Sequence, residues 1–447
     1  MKSNLNAIAW PAIPDVRSNL VYSLFCQLES EQWLPPQALA DRQAVQLEHI
    51  VRHAARTVPW YCQHWPAGLV ADLASGVALS AGSFASLPCL TRRELQAQFE
   101  LLQSNDVPAE HGALAEGSSS GSTGTPVRFR KTYFNQLVWE ALTLRDHAWH
   151  ARDLRQTLCI IRRGDAAQAD NWGPATRMFD TGPAYLCPVG VDVRTQLAWL
   201  AERRPGYLLT YPSLALELAT LAREEGVRLD GLRQVRTFGE PLGTEVRQAC
   251  DDAWAVTVSD TYSSEEFGYL AIRCPLSGHY HVQSENVLLE ILDEDDHPCG
   301  PGECGRVVVT GLLNFAMPLI RYELGDMAEV GPPCPCGRGL PVLTRILGRT
   351  RNMLVTADAK RYWPTFGFRD SALSSRIIQR QVIQSAPDQV HIRYVSAGVL
   401  TPADTAMLTE QVRQRLPPGF LVTSERVPHI ARHANGKFEE FVCAFVT

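Results

Sequence analysis

Residues Ser118–Pro126 read SSSGSTGTP and combine glycines with a run of hydroxyl side chains. Glycines let backbone N–H groups converge on an anion because no Cβ stands in the way, and the hydroxyls add donors for phosphate oxygens. The stretch is not a Walker loop, since no Gly-Lys-Ser/Thr sequence follows it. The next residues, Val127–Arg130, alternate as in a β-strand. We therefore predict a phosphate-binding loop that leads into a strand; the alternative is a flexible linker.

The composition is that of a globular protein and argues against several classes of partner. Of the 447 residues, 45% are hydrophobic and 20% are charged, and the formal net charge is −6. We expect no nucleic acid and no membrane as a partner, because the chain has no basic field and no apolar run of about 18 residues. The N-terminus lacks the apolar core of a signal peptide. Twelve cysteines spread along so long a chain suit reduced thiols, so we expect a cytoplasmic protein.

The pattern of apolar residues predicts two domains. Between residues 156 and 325, short apolar runs such as Tyr207–Thr210 alternate with helical segments such as Ser213–Glu224, which is typical of α/β layers. A boundary is expected near residues 348–352. After it, two strand-like runs flank the helical run Ala403–Arg415, which indicates a small α+β fold. We predict a large N-terminal α/β domain, residues 1–348, and a small C-terminal α+β domain, residues 349–447.

Six motifs follow one another along the chain. They are SSGSTGTP (Ser119–Pro126), TFGEPL (Thr237–Leu242), DTYSSEEFG (Asp260–Gly268), RYELGD (Arg321–Asp326), Gly348-Arg349 and NGKF (Asn435–Phe438). Each alone is a weak signal, but in type and order they resemble the motifs of the acyl-adenylate-forming (ANL) enzymes. The resemblance implies a large adenylate-forming domain with a small mobile C-terminal domain, and an enzyme that binds ATP and Mg²⁺.

The resemblance also implies roles for individual residues at the nucleotide. The glycine-rich loop would cradle the β and γ phosphates of ATP, through Ser119, Ser120, Gly121, Ser122, Thr123, Gly124 and Thr125. Tyr262 would stack on adenine and Asp326 would accept hydrogen bonds from both ribose hydroxyls, which suits an acceptor-only carboxylate. The other residues implied to bind ATP are Gly239, Glu240, Pro241, Asp260 and Arg349.

Two residues are implied to act in catalysis. Glu266 would bind Mg²⁺, a hard cation that prefers carboxylate ligands when it bridges phosphates. Lys437 would reach the forming acyl-AMP as a point charge. The chain departs from the family pattern at Ser263, where a glycine is usual beside the acyl pocket, and at Glu265, where Thr or Ser is usual. Glu265 can join the metal or point away from it.

Features of the N-terminal region, among them His53-Ala54-Ala55 and Val58-Pro59-Trp60-Tyr61, resemble the phenylacetate–CoA ligase branch of the family. That branch often carries a structural zinc. Cys274 and His281 precede Cys334-Pro335-Cys336, and three thiolates with one imidazole would complete a closed tetrahedral site. Rival ligands are His279, Cys299 and Cys304, and the alternative is a set of reduced buried cysteines.

The reaction implied by the resemblance has two steps. A carboxylate attacks MgATP to give acyl-AMP and pyrophosphate, the small domain rotates, and a nucleophile, often the thiol of coenzyme A, takes the acyl group. Tyr211, Phe238 and Ser263 are expected to border the acyl pocket, where aromatic and small residues suit an aromatic or small acid.

The motifs leave the acceptor open. Arg351 replaces the usual Asp or Lys of the hinge, and Ala357 or Ala359 stands where a glycine is usual near pantetheine. An amine or a carrier-protein thiol is therefore the alternative acceptor, and a non-catalytic nucleotide-binding protein is the alternative from another class. Arg351, Lys360 and Arg361 could meet phosphates of coenzyme A, or they could form a solvated basic face. The resemblance also allows a homodimer.

Overall fold

The computed structural model describes residues 1–119, 126–358, 360–363, 373, 376–396, 398–433 and 435–445. They divide into two compact units. The first unit consists of Met1–Arg155, Asn171–Thr181 and Thr261–Ile346, and the second of Gln156–Asp170, Gly182–Asp260 and the described residues from Leu347 onward. Among the described residues, no helix is both long enough and apolar enough to cross a lipid bilayer.

Eleven α-helices lie in the described part of the chain. They are α1 (Val16–Glu31), α2 (Pro36–Thr57), α3 (Pro59–His64), α4 (Ala67–Ser75), α5 (Ala81–Ala85), α6 (Arg92–Ala97), α7 (Tyr133–Trp149), α8 (Val193–Arg203), α9 (Pro212–Glu225), α10 (Thr244–Trp254) and α11 (Pro402–Arg413).

Twenty β-strands lie in the same residues. They are β1 (Leu114–Ser118), β2 (Arg128–Thr132), β3 (Leu158–Arg162), β4 (Ala167–Ala169), β5 (Ala184–Pro188), β6 (Tyr207–Thr210), β7 (Gln234–Phe238), β8 (Thr257–Ser264), β9 (Gly268–Arg273), β10 (Tyr280–Val282), β11 (Val287–Leu292), β12 (Cys304–Gly311), β13 (Tyr322–Val330), β14 (Val342–Arg349), β15 (Leu354–Val355), β16 (Arg361–Tyr362), β17 (Ile377–Ala386), β18 (Gln389–Ser396), β19 (Leu421–Arg426) and β20 (Phe441–Cys443).

The first unit is built on a sheet in the order β11-β12-β13-β14-β10-β9, continued by residues 261–264 of β8. Its neighbouring strands pair in antiparallel fashion, as β12 does with β11 and β13. Ile50 and Val51 of α2 pack in the same buried cluster as Leu270 of β9 and Val309 of β12. The apolar residues of α2 recur at helical spacing, which is why one face of this helix is buried. The hairpin of β1 and β2 belongs to this unit.

The second unit contains a parallel arrangement of β5, β3, β6 and β7, with β4 antiparallel at the edge next to β5. Helix α9 begins with Pro212 at its first turn and ends before Gly226, which has a φ of +66°. These residues suit the two ends, because proline lacks an N–H and glycine tolerates the left-handed conformation. Leu214 and Leu218 of α9 pack with Leu208 of β6 in one buried cluster.

The C-terminal part of the second unit has its own small sheet, in the order β19-β18-β17-β20. Strands β17 and β18 are antiparallel, whereas β19 and β20 run parallel to their neighbours. Leu408 and Val412 of α11 are buried with Ile392 of β18. This is a small α+β fold with a core of its own.

The α/β fold class predicted from the sequence is confirmed. The predicted run Tyr207–Thr210 coincides with β6, and the predicted helices over 213–224 and 403–415 match α9 and α11 within three residues at either end. The last segment of the second unit begins at Leu347, close to the predicted boundary. The division into domains 1–348 and 349–447, and the mobility of the small one, stay predictions.

Candidate functional site

The glycine-rich loop connects the two strands of a hairpin. Gly117 of β1 lies opposite Phe129 of β2, and Ser119 continues the pairing, because its N–H donates to the Val127 carbonyl at 2.8 Å. The Ser119 hydroxyl accepts from the Val127 N–H at 3.2 Å. A Cβ at Gly117 would lie 2.4 Å from the Phe129 ring, so a side chain there would force this ring to move. Of the predicted phosphate ligands, Ser120, Gly121, Ser122, Thr123, Gly124 and Thr125 lie outside the described residues.

The two acidic residues after β8 have different environments. Glu266 is 6% exposed, whereas Glu265 is exposed to solvent. Lys131, at the end of β2, donates to the Glu265 carbonyl and lies close enough to both carboxylates to be affected by their charge. Burial lowers the pKa of Lys131, and the two glutamates oppose this shift. The predicted Mg²⁺ ligand is thus a buried carboxylate beside a cation.

The predicted adenine and ribose residues of the first unit touch each other. The Tyr262 hydroxyl of β8 donates to Asp326 Oδ2 of β13 at 2.7 Å, and both side chains are buried. A carboxylate oriented by a tyrosine presents its other lone pairs in a fixed direction. This geometry suits the recognition of a vicinal diol.

Asp260 of β8 is buried in the second unit. Its Oδ1 accepts a 2.6 Å hydrogen bond from the Thr237 hydroxyl of β7, which also contacts the Ser259 carbonyl at 3.1 Å. Since the carboxylate is already engaged by Thr237, the described contacts place Asp260 as a support for the end of β7. Its predicted part in ATP binding stays a prediction.

Lys437 packs against the Gly239-Glu240-Pro241 segment. A Cβ placed on Gly239 would lie 3.1 Å from Lys437 Cε and 3.4 Å from its Nζ. Gly239 also has a φ of +79°, which side-chain-bearing residues rarely adopt. Glycine is therefore required at 239 both for the backbone conformation and for the approach of the lysine. Two motifs that lie far apart in the sequence meet at this point.

The Glu240 carboxylate is directed at backbone amides of the same unit. Its Oε2 accepts the Ser213 N–H at 3.0 Å and its Oε1 accepts the Phe438 N–H at 2.6 Å. The Arg432 guanidinium lies 3.7 Å from Oε1. Burial raises the pKa of the Glu240 carboxyl, and the charge of Arg432 opposes that rise. The side chain of this predicted ATP-binding residue thus holds the segment that carries Lys437.

The predicted acyl-pocket residues lie in both units. Tyr211 and Phe238 belong to the second unit, with ring centroids 4.9 Å apart, whereas Ser263 lies on β8 in the first. The Tyr211 hydroxyl donates to the Asn435 carbonyl at 3.0 Å. Burial raises the pKa of Tyr211, so the hydroxyl stays protonated near neutral pH.

Arg349 ends β14, and Gly348 before it has a φ of +123°. A Cβ at Gly348 would come within 2.8 Å of the Trp363 ring. Arg351 forms an ion pair with Glu439. The residue that departs from the family pattern is therefore paired within the second unit. Ala359, the other departure, lies outside the described residues, and Lys360 pairs with Asp358 at 2.9 Å.

The four predicted zinc ligands form one cluster in the first unit. One ligand atom from each of Cys274, His281, Cys334 and Cys336 lies within 4.8 Å of every other. Cys274 Sγ and Cys334 Sγ are 3.9 Å apart, and Cys336 Sγ is 3.3 Å from His281 Nε2. Tetrahedral zinc with Zn–S bonds of about 2.3 Å sets sulfur atoms roughly 3.8 Å apart. The residues present fit this metal.

The local structure explains how the cluster forms. Gly337 adopts a φ of +87° and donates its N–H to the Cys334 carbonyl, which closes the C-x-C turn. Burial lowers the pKa of His281 to about 4, so its imidazole is neutral and can bind a metal. Burial would raise the pKa of Cys274, but N–H donors of Ser277 and Leu276 outweigh it and leave the pKa lowered. The rival ligands His279, Cys299 and Cys304 are not members of this cluster.

Known ligases resemble this chain in sequence, although no family model matches it. The chain is 31% identical over 174 residues to a phenylacetate–coenzyme A ligase of Thermus thermophilus, an alignment covering 37% of this chain and 39% of that protein. It is 25% identical over 320 residues to the phenylacetate–coenzyme A ligase of Escherichia coli, covering 70% and 71%.

A solved structure of 2-hydroxyisobutyryl-CoA ligase in the postadenylation state, in complex with R3-HIB-AMP, matches with a TM-score of 0.71 and 19% identity. The match covers 92% of this chain and 91% of that one. A crystal structure of the anthranilate CoA ligase AuaEII matches with a TM-score of 0.54 and 15% identity over 72% of this chain and 64% of that one. The chain has the acyl-adenylate-forming ligase fold.

The sequence of this chain is similar to those of phenylacetate–CoA ligases, and its fold is that of acyl-adenylate-forming ligases. The resemblance predicted from the six motifs is thereby confirmed. Within the second unit, the structure brings together Tyr211, Phe238, Gly239, Glu240 and Lys437. Within the first, it brings together Tyr262 with Asp326, and the four cluster residues with one another.

Three residues were not predicted as part of the site. Lys131 lies beside Glu266, and Glu217 and Arg432 join Glu240 in a buried network. The positive run Arg128–Lys131 next to the glycine-rich loop was a signal that could have drawn attention to Lys131. No local sequence pattern indicates Glu217 or Arg432, because the two paired residues are 215 positions apart in the sequence.

Proposed function

We propose that this protein activates a carboxylic acid with MgATP, forms an acyl-AMP with release of pyrophosphate, and transfers the acyl group to coenzyme A. The observation that carries this proposal is the packing of Lys437 against Gly239, which joins two family motifs at one place. The alignment with phenylacetate–coenzyme A ligases over most of the chain supports the same activity.

In the first step, a carboxylate oxygen of the acid forms a bond to the α-phosphorus while the bond to the β-phosphate oxygen breaks. Catalysis of this step rests on positioning and charge stabilisation. Lys437 would offset negative charge between the acid and the α-phosphate, and Lys131 would offset it near the glycine-rich loop. Tyr262 and Asp326 would hold the nucleoside. Mg²⁺, bound by Glu266, would neutralise charge on the leaving pyrophosphate.

In the second step, the sulfur of coenzyme A, as thiolate, attacks the acyl carbonyl, the C–O bond to AMP breaks, and AMP leaves with the electron pair. We propose an aromatic or other small acid as substrate, since Tyr211 and Phe238 form an aromatic wall. The alternative acceptor, an amine or a carrier-protein thiol, is favoured by one observation. Arg351, a candidate contact for coenzyme A phosphates, is occupied by Glu439.

We also propose that the cluster of Cys274, His281, Cys334 and Cys336 holds a structural zinc ion. A set of four protein ligands leaves no open position for a reacting water, so its role would be to stabilise the fold. A cytoplasmic location and a homodimer stay predictions.

The function is tested by measuring pyrophosphate release from MgATP with a panel of aromatic and short-chain carboxylic acids, with and without coenzyme A. We expect one class of acid to support turnover only when coenzyme A is present. Bound acyl-AMP without turnover in coenzyme A would indicate the alternative acceptor. The proposal would be contradicted if no acid in the panel supported release, or if Lys437→Ala released pyrophosphate as fast as the exposed control Lys2→Ala.

A further inference from the structure

We propose that Glu240, held by Arg432 and Glu217, is a positioning residue that sets Lys437 in place for acyl-AMP formation. This inference rests on the proposed function for its catalytic meaning, but the contacts that carry it are independent of any substrate. We call Glu217, Glu240 and Arg432 the acid–arginine clamp. Its three side chains come from α9, from the segment after β7, and from the stretch after β19.

The acid–arginine clamp contacts the chain directly beside Lys437. Glu240 Oε1 accepts the N–H of Phe438, the residue directly after Lys437. The residue directly before Glu240 is Gly239, against which the Lys437 side chain lies. The hydrogen bond joins residues 240 and 438, and the packing contact joins the residues directly before them, 239 and 437. A shift of the Glu240 carboxylate would move the Lys437 backbone relative to Gly239.

Both ends of the acid–arginine clamp are held by contacts with other residues. The other oxygen of Glu240 accepts the Ser213 N–H at the start of α9. Arg432 donates to the Ser213 hydroxyl at 2.7 Å and pairs with Glu217, and Gln379 donates to Glu217 at 3.1 Å. The clamp thus ties Arg432 and Phe438 to helix α9.

The turn that carries Lys437 is held by hydrogen bonds. Gly436 has a φ of +84° and its N–H donates to the His433 carbonyl, while the Asn435 side chain accepts the Lys437 N–H at 2.9 Å. Tyr211 donates to the Asn435 carbonyl. The backbone on both sides of Lys437 is therefore fixed before any substrate binds, which is what a pre-organised catalytic charge requires.

The acid–arginine clamp contains two acidic side chains and one basic side chain. Two buried carboxylates share one guanidinium, and burial raises the pKa of both Glu217 and Glu240, against the charge of Arg432. A structure that only needed a stable fold could fill this volume with apolar side chains at equal or lower cost. A carboxylate at residue 240, and not an apolar side chain, is explained by its two donors, the backbone amides of residues 213 and 438.

The test compares Glu240→Gln with the wild type and with Glu225→Gln, a control on α9 whose carboxylate pairs with Arg194 at the surface. In Glu240→Gln one carboxylate oxygen becomes an NH₂ group, which cannot accept an amide N–H. We expect kcat for acid-dependent pyrophosphate release to fall at least tenfold, with KM for ATP changed less than about threefold. If the variant were partly unfolded, the fraction of active protein would fall instead. Active-site titration with a preformed acyl-AMP measures that fraction.

Two readouts that need no turnover keep the test decisive. Amide hydrogen exchange of the peptide spanning 435–441 should accelerate at least tenfold in Glu240→Gln, and reaction of the Lys437 amine with an acetylating reagent should change severalfold. Neither should change in Glu225→Gln. Unchanged exchange and unchanged Lys437 reactivity would overturn the inference. A wild type that releases no pyrophosphate with any acid would instead contradict the proposed function, and the two readouts would still decide whether the clamp holds Lys437.

Discussion

The Tyr262 hydroxyl and the Asp326 carboxylate are joined by a 2.7 Å hydrogen bond across two strands of the first unit. Hydrogen bonds to charged groups contribute about 1.5–3 kcal/mol, and the tyrosine also fixes which way the carboxylate faces. The pair therefore fixes the geometry of the predicted ribose site before nucleotide binds.

Tyr262→Phe removes the hydroxyl and keeps the ring. We expect KM for ATP to rise about tenfold, because the Asp326 carboxylate loses its orienting donor, and we expect the free energy of unfolding to fall by about 1.5–3 kcal/mol. Steady-state kinetics and urea unfolding measure the two effects. Tyr362→Phe, at an exposed tyrosine, serves as the control. An unchanged KM would show that the hydroxyl does not prepare the ribose site.

Lys131→Met leaves Glu265 and Glu266 without their neighbouring cation. We expect pyrophosphate release to fall at least tenfold, about 1.4 kcal/mol in the barrier, because charge on the ATP phosphates is no longer offset there. Burial lowers the pKa of Lys131, so the wild type should lose its charge and its activity at a pH below the ordinary 10.5. A pH–rate profile of the variant should lack that alkaline limb. A profile identical to the wild type, or to that of the exposed control Lys2→Met, would contradict the assignment.

Metal analysis of the purified protein should give one zinc per chain. Cys274→Ser and His281→Ala should each lower the zinc content and reduce the melting temperature, since structural zinc contributes folding free energy. His279→Ala and Cys304→Ser should retain the metal, because neither residue belongs to the four-residue cluster. Loss of zinc in His279→Ala alone would favour the rival ligand.

Glu240→Gln should also change how stability depends on pH. The folded-state pKa of Glu240 is raised above 4.5, so the wild type gains stability from this group at low pH and loses it as the pH rises through the raised value. Relative to wild type, the variant should therefore gain stability as the pH rises above 4.5, with a slope of up to about 1.4 kcal/mol per pH unit. Urea unfolding over a series of pH values measures this slope. A constant difference for Glu240→Gln would mean that its pKa is not raised.

Local features of the fold could be predicted from the sequence. Pro212 and Gly226 mark the ends of α9, and the apolar run Tyr207–Thr210 is β6, because propensity and periodicity act over a few residues. The grouping of Cys274, His281, Cys334 and Cys336 could be predicted in part, since the C-x-C turn brings two of the four residues together by itself. The choice between His279 and His281 required the register of β10.

The acid–arginine clamp could not be predicted, because it depends on contacts between distant residues. Arg432 reaches Glu217 and Glu240 only after α9, β7 and the C-terminal segment have packed together. The different exposure of Glu265 and Glu266 likewise depends on how the hairpin of β8 and β9 turns. A motif identifies a residue type, but tertiary packing decides which of two neighbouring carboxylates faces inward.

The cysteine–histidine cluster has a consequence for chain entropy. Cys274 and Cys334 lie 60 residues apart, and the segment between them contains Asp326. A metal bound to both would act as a cross-link that closes this segment into a loop, and cross-links of this length remove several kcal/mol of conformational freedom from the unfolded chain. Chelation would thus lower the stability of the fold around a segment that carries the carboxylate proposed to hold the ribose, so oxidation of a thiol at one point would weaken nucleotide affinity at another.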